Sequence, residues 1–134
     1  MKKCLNCGEN LGINSRKFCS IKCQKEFEYK KYIDNWKNGK VSGMRGNYQI
    51  SLHIRRYLFE KYGAKCCICG WGKKNQFTKQ IPLEIEHKDG NYKNNNESNL
   101  LLLCPNCHSL TSTYKGANRN NGRKERTEYS LYRK

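Results

Sequence analysis

Two Cys-x2-Cys pairs, Cys66/Cys69 and Cys104/Cys107, stand in this chain with 34 residues between them. Four thiolates in two such knuckles can surround one tetrahedral Zn²⁺. The usual spacer between paired knuckles is shorter, so the insert has to be a folded unit whose two ends the metal clips together. The run Cys66-Cys67-Ile68-Cys69 also offers Cys67. Two intervening residues wrap a metal better than one, which favours Cys66 as the ligand. A second quartet, Cys4, Cys7, Cys19 and Cys23, lies near the start with the spacing C-x2-C-x11-C-x3-C.

Nine cysteines in 134 residues could equally be a disulfide scaffold. The compartment argues otherwise. Met1-Lys2-Lys3 runs into Cys4, Leu5 and Asn6 with no apolar stretch, so no signal peptide is expected. No segment approaches membrane-spanning length either. A cytoplasmic chain keeps its thiols reduced, and paired knuckles then read as two structural zinc sites. Only 36% of the residues are hydrophobic. A core that thin in so short a chain is one that metal staples ordinarily reinforce.

The formal charge is +16, which points to a polyanionic partner. Its distribution is uneven. Lys and Arg against Asp and Glu number 10 to 4 in residues 1–41, 5 to 1 in 42–65, 5 to 4 in 66–114, and 7 to 2 in 115–134. The knuckle-bracketed segment is nearly neutral and its surroundings are basic. Such a division suits a protein that grips phosphates with its arms, in a salt-sensitive and sequence-independent way, while keeping acids for a metal elsewhere. Lys30, Lys31, Arg45, Arg55, Arg56, Lys115, Arg119 and Arg123 are the candidate phosphate contacts.

In chain order, residues 1–37 read as a zinc finger followed by a basic amphipathic helix. The quartet resembles a small treble-clef-like finger, with Ser20 as N-cap and Tyr29, Ile33 and Trp36 on one helical face. Four cysteines without a neighbouring acid or histidine suit a closed, structural site. Tracking DNA and merely stapling the fold are both open to this finger. Residues 38–49, rich in glycine, read as a flexible basic linker. A helix is predicted over 50–62, ending at Gly63. His53 within it has no partner in sequence and receives no role. A polar connection covers Gly70 to Gln80. The alternation of Ile81, Leu83 and Ile85 predicts a strand over 81–87. A loop follows over 89–97, then a strand over 100–103. The next helix opens at Pro105 and carries His108. Residues 117–134 form a basic tail with little apolar content.

Both knuckles, the Glu86-His87 pair, Asn99 at the head of an apolar run, and His108 directly after the second knuckle occur in a particular order. In that order they resemble the HNH, or ββα-metal, nucleases, especially the zinc-knuckle kind of phages and bacteria. The resemblance covers residues 50–116. It implies a small α+β, zinc-stapled fold with a ββα-metal core bracketed by one Cys4 site and preceded by the other. It also implies a DNA endonuclease hydrolysing phosphodiester bonds. His87 would be the general base, since neutral imidazole can take a proton from water at physiological pH. Glu86 and His108 would hold one catalytic divalent ion, Mg²⁺ or Mn²⁺ by the oxygen-rich ligand set, though imidazole also admits Zn²⁺ or Ni²⁺. Asn99, carried over from the family pattern, would hold the loop and thereby the His87 ring. The chain departs from the pattern at Glu86, where the family more often has Asp.

Neighbours on a straight strand face opposite sides, so Glu86 and His87 converge only if the strand ends at His87 and the chain turns through Lys88-Asp89-Gly90. Asp89 and Glu84 are the nearest substitute acids. The expected partner is DNA, with no membrane, acting as a monomer or a transient dimer on DNA. The expected place is the cytoplasm, that of the host if a phage encodes the chain. A zinc deaminase requires H-x-E, which is absent. The alternative function is a non-catalytic, zinc-dependent DNA-binding protein, which would leave the acid–histidine pair idle.

Overall fold

The computed structural model describes residues 2–114. Internal contacts divide the chain into two compact units, parting between Val41 and Ser42. The tail read as 117–134 lies outside the described residues.

The first unit starts with a tight turn. The Gly8 N–H donates to the Cys4 carbonyl at 3.0 Å, and Gly8 takes φ +78°, which favours glycine. The flanking chain doubles back through a bridge between Lys3 and Asn10. Helix α1 (Ile21–Lys37) follows, and the Ser20 side chain caps it by accepting from the Cys23 N–H at 3.1 Å. Tyr29, Ile33 and Trp36, spaced for one helical face, are its buried residues, as the periodicity predicts. Gly39, at φ +72°, continues past the Asn38 cap.

The second unit opens with an antiparallel hairpin, β1 (Met44–Arg45) and β2 (Gln49–Ile50), inside the stretch read as linker. Strands of two residues carry no period, and the glycine content that suggested flexibility supplies the turn instead, with Gly46 at φ +65°. Helix α2 (Leu52–Lys61) is capped by Ser51 and buries Ile54 and Leu58 completely. Gly63 leaves it with φ +62°. Strands β3 (Glu84–His87) and β4 (Leu100–Leu103) pair antiparallel, with Glu86 opposite Leu101 and His87 opposite Leu100. The strand predicted from Ile81 begins three residues later. Helix α3 (Pro105–Ser109) has Pro105 in its first turn and Cys104 as its cap.

The core of this unit is Cys66, Leu83, Leu102, Leu103 and Cys104, with Phe59, Tyr62, Ile81 and Ile85 packed around it. Two contacts hold α2 against the strands. The Arg55 guanidinium donates to the Leu83 carbonyl at 3.2 Å, just before β3. Tyr57 and Lys61 reach Glu97 at 2.9 and 3.0 Å, just before β4. Among the described residues no helix is long and apolar enough to cross a membrane.

Leu102 is fully buried between the two knuckles' residues and has no polar duty. Leu102→Ala is expected to destabilise this unit by about 2–5 kcal/mol. The measurement is the denaturant midpoint of its transition at saturating zinc; an unchanged midpoint would mean the core lies elsewhere.

Candidate functional site

The two knuckles meet. The Sγ atoms of Cys66, Cys69, Cys104 and Cys107 all lie within 4.8 Å of one another, and so do those of Cys4, Cys7, Cys19 and Cys23. Cys67 stands outside the first group; its N–H donates instead to the Leu102 carbonyl at 2.9 Å. All nine cysteines are free thiols. Sulfur pairs sit 3.6 Å apart for Cys69–Cys104 and for Cys7–Cys19, and 3.4 Å for Cys19–Cys23. A tetrahedron with zinc–sulfur bonds of about 2.3 Å has edges of about 3.8 Å, so both groups could hold zinc with little adjustment.

The electrostatics of each group fit a cation at its centre. The N–H of Cys7 above all draws the Cys4 thiol down to about 6, while the Cys23 and Cys7 side chains push Cys19 up to about 12. In the other group burial raises the Cys66 thiol, but the N–H groups of Cys69, Cys104 and Ile68 outweigh it and bring Cys66 to about 6. Burial first, then the neighbouring thiols, push Cys107 up to about 12. Four sulfurs at this distance cannot all ionise against one another. A divalent cation removes that conflict and binds in exchange for protons.

A different pairing occurs between β3 and α3. The Glu86 carboxylate and the His108 ring approach to 2.9 Å, Oε2 to Nδ1. That is ion-pair distance, yet His108 Nδ1 is buried without a hydrogen-bond partner, so the two atoms are close but not aligned. Ligands at right angles on one ion, each about 2.1 Å away, sit about 3 Å apart. This pair therefore fits two adjacent ligands of a hard or borderline cation. Thr113 donates from its hydroxyl to Glu86 Oε1, which fixes the carboxylate and leaves Oε2 toward His108. Tyr114 meets the His108 ring edge-on at 5.4 Å.

His87 makes its contact elsewhere. Its Nε2 lies 2.7 Å from Asn95 Oδ1. The Asn95 amide nitrogen donates to the Ser42 carbonyl and the Met44 sulfur, so Oδ1 is the side facing the ring. Nε2 therefore carries the proton and Nδ1 is the basic nitrogen. The strand ends at His87 and the Gly90 N–H closes the turn onto the His87 carbonyl at 2.9 Å, where a turn is expected. Asn99 is buried behind this turn. Its Oδ1 accepts from the Asp89 N–H at 3.1 Å, and its Nδ2 donates to Asp89 Oδ1 and the Asn94 carbonyl at 2.9 and 2.8 Å. The amide of Asn94, the N–H of Asn91 and the amide of Asn99 hold the Asp89 carboxyl below its usual range. Asp89 thus braces the loop and is no substitute ligand, and Glu84 sits exposed at the start of β3.

The structure thus brings Glu86 and His108 together, and turns His87 to Asn95. Asn95 and Thr113 are the residues that sequence reasoning missed. Of the candidate phosphate contacts, Lys30 donates to Asn6 at 3.2 Å, Arg45 pairs with Gln49, Arg56 with Glu60 at 2.9 Å, and Arg55 with Leu83. Lys31 is exposed. Lys115, Arg119 and Arg123 lie outside the described residues.

One known protein is similar to part of the chain. The H-N-H endonuclease F-TflIV of Escherichia phage T5 is 57% identical to this chain over 54 residues, which are 40% of this chain and 23% of that protein. Over those 54 residues the chain is similar to that HNH endonuclease. It spans under a quarter of the length of that HNH relative. No family model matches the chain, and no solved structure matches it.

Two outcomes are expected. Purified protein should carry two equivalents of zinc by elemental analysis, and Cys104→Ser should lose one of them and melt the second unit; full zinc retention in that variant would refute the assignment. Asp89, with its value lowered in the fold, stabilises the loop fully above about pH 4 and loses that contribution as pH falls below it. Amide exchange at Asn91 and Asn99 should therefore accelerate on acidification, and in Asp89→Asn the acid-induced step should vanish.

Proposed function

We propose that this protein is a metal-dependent DNA endonuclease of the HNH type. The observation that carries the reading is the approach of Glu86 Oε2 to His108 Nδ1 at 2.9 Å without hydrogen-bond alignment, with the next residue in the chain a histidine whose Nε2 is held by Asn95. Glu86 and His108 would hold a divalent ion such as Mg²⁺ or Mn²⁺. When bound, the ion polarises the phosphoryl group and supports the departing oxygen.

The chain's own residues do the rest. His87 takes a proton from the attacking water at Nδ1, while its Nε2–H stays on Asn95 Oδ1 and keeps the ring from rotating. Asn95 is itself held by Ser42 and Met44, so the hairpin read as linker becomes a brace for the base. Asn99 keeps the turn after His87 closed through Asp89 and Asn94 and has no part in proton transfer. Thr113 fixes the Glu86 carboxylate so that one oxygen faces the ion. The two Cys4 groups hold structural zinc, the one around Cys66 and Cys104 framing a ββα-metal core. The substrate is DNA, drawn by the +16 charge in a salt-dependent way. The small size and basic arms favour a free-standing phage or mobile-element enzyme acting in the host cytoplasm as a monomer or a transient dimer.

Plasmid nicking with added Mg²⁺ or Mn²⁺ tests this. His87→Ala should cut about 10²–10⁴-fold more slowly than wild type, with zinc content and melting unchanged. Persistent cleavage in that variant would remove His87 as the base. Duplex binding with no cleavage under any divalent ion would leave a zinc-dependent DNA-binding protein.

A further inference from the structure

The stretch Gly70–Gln80 reads in sequence as a polar connection between a knuckle and a strand, yet it is a built loop. At its base the Gly70 N–H donates to the Cys66 carbonyl at 2.9 Å and the Cys66 N–H to the Trp71 carbonyl at 2.8 Å. A Cβ at Gly72 would lie 2.7 Å from the Ala64 carbonyl oxygen, so no side chain fits where the loop leaves the knuckle. At its tip Asn75 Oδ1 accepts from the Phe77 and Thr78 N–H groups at 2.8 and 3.1 Å. The Asn75 N–H donates to the Gln80 carbonyl, and its carbonyl accepts from Lys79, both at 2.8 Å. Lys79 takes φ +61°, a left-handed backbone uncommon for a residue with a side chain.

This ordered turn presents a phenyl ring to water. Phe77 is 84% exposed, flanked by polar residues throughout. An open cleft of about 500 Å³ lies alongside, its apolar floor including Leu52 and Phe59 and its cationic wall formed by Arg55, Arg56, Lys74 and Lys79. None of the described residues lining it is acidic. Arg55 also donates to the Leu83 carbonyl ahead of β3, so the cleft shares a rigid support with the strand that carries Glu86 and His87.

We propose that the 70–80 loop and its cleft form a DNA subsite made of none of the cleavage residues, in which Phe77 stacks on a base and Lys74 and Lys79 hold neighbouring phosphates. The proposal rests on the reading of the chain as a DNA-acting enzyme. The chemistry favours nucleic acid over protein. Every base offers a π-face to an aromatic ring, and cations without acids suit a phosphate backbone.

The test uses the full zinc-loaded chain in the His87→Ala background, with no other divalent ion, binding a short fluorescent duplex with a single-stranded overhang by anisotropy. Phe77→Ala removes an exposed ring and should weaken binding about tenfold. Lys79→Asn deletes the charge with a residue that tolerates the left-handed backbone, and should lower the slope of log affinity against log salt by about one. Unchanged affinity in Phe77→Ala would overturn the subsite, as would a change in oligomeric state without a change in DNA affinity. Nicking by wild type together with unchanged binding in Phe77→Ala sinks the subsite alone. Phe77-dependent binding by a chain that never nicks keeps the subsite and sinks the cleavage reading.

Discussion

Four sulfur atoms from two ends of a long insert converge, and most of the second unit hangs on that convergence. Cys66 and Cys104 are themselves members of the buried core, beside Leu83, Leu102 and Leu103. So few apolar side chains cannot by themselves offset the entropy of ordering the loops between them. A metal held by the four sulfurs would cross-link the ends and shorten the loop that must be closed, and its binding energy would become folding energy. The same clip fixes the start of α3, because Cys104 is both a cluster member and the helix cap. His108, one turn further on, inherits its position from that cysteine.

What was legible in the sequence is what depends on spacing and on local chemistry. Ser20, Pro105 and Gly63 act where their backbone preferences place them, and Leu100–Leu103 is a strand with the expected bounds. Glu86 with His108 follows from two motifs that both had a register. Asn95 is different. It is one of three consecutive asparagines, and only the fold decides that this one turns inward, 4% exposed, to meet a histidine eight residues earlier. Thr113 is hidden for a similar reason, since its partner lies on a strand 27 residues away. Met44 and Ser42 belong to a segment whose glycines looked like freedom, whereas a left-handed glycine is equally what a tight hairpin uses.

The adjacency of Glu86 and His87 looks like an obstacle until the pairing is considered. Their ladder partners, Leu101 and Leu100, are consecutive, yet the two side chains find different neighbours. One, the carboxylate, lies against His108 of α3 and Thr113 beyond that helix. The other, the imidazole, lies against Asn95 of the asparagine loop. Because the strand stops at His87, each group is oriented by its own set of neighbours. A carboxylate and an imidazole that are neighbours in sequence are thus held by separate sets of residues.

The two supports also differ in kind. The ligand side rests on buried leucines and the sulfur cluster, which resist small displacements because packed interiors are dense. The base side rests on amide side chains: Asn91, Asn94, Asn95 and Asn99 each bond to backbone or to one another's neighbours within a surface loop. Asparagine is suited to this, since one side chain can both donate and accept and can stand in for a turn. Such a network is satisfied only in one arrangement, so it holds a loop that has almost no apolar surface to bury. It also leaves the segment 66–114 nearly neutral, at 5 basic against 4 acidic residues, while the cations gather outside it.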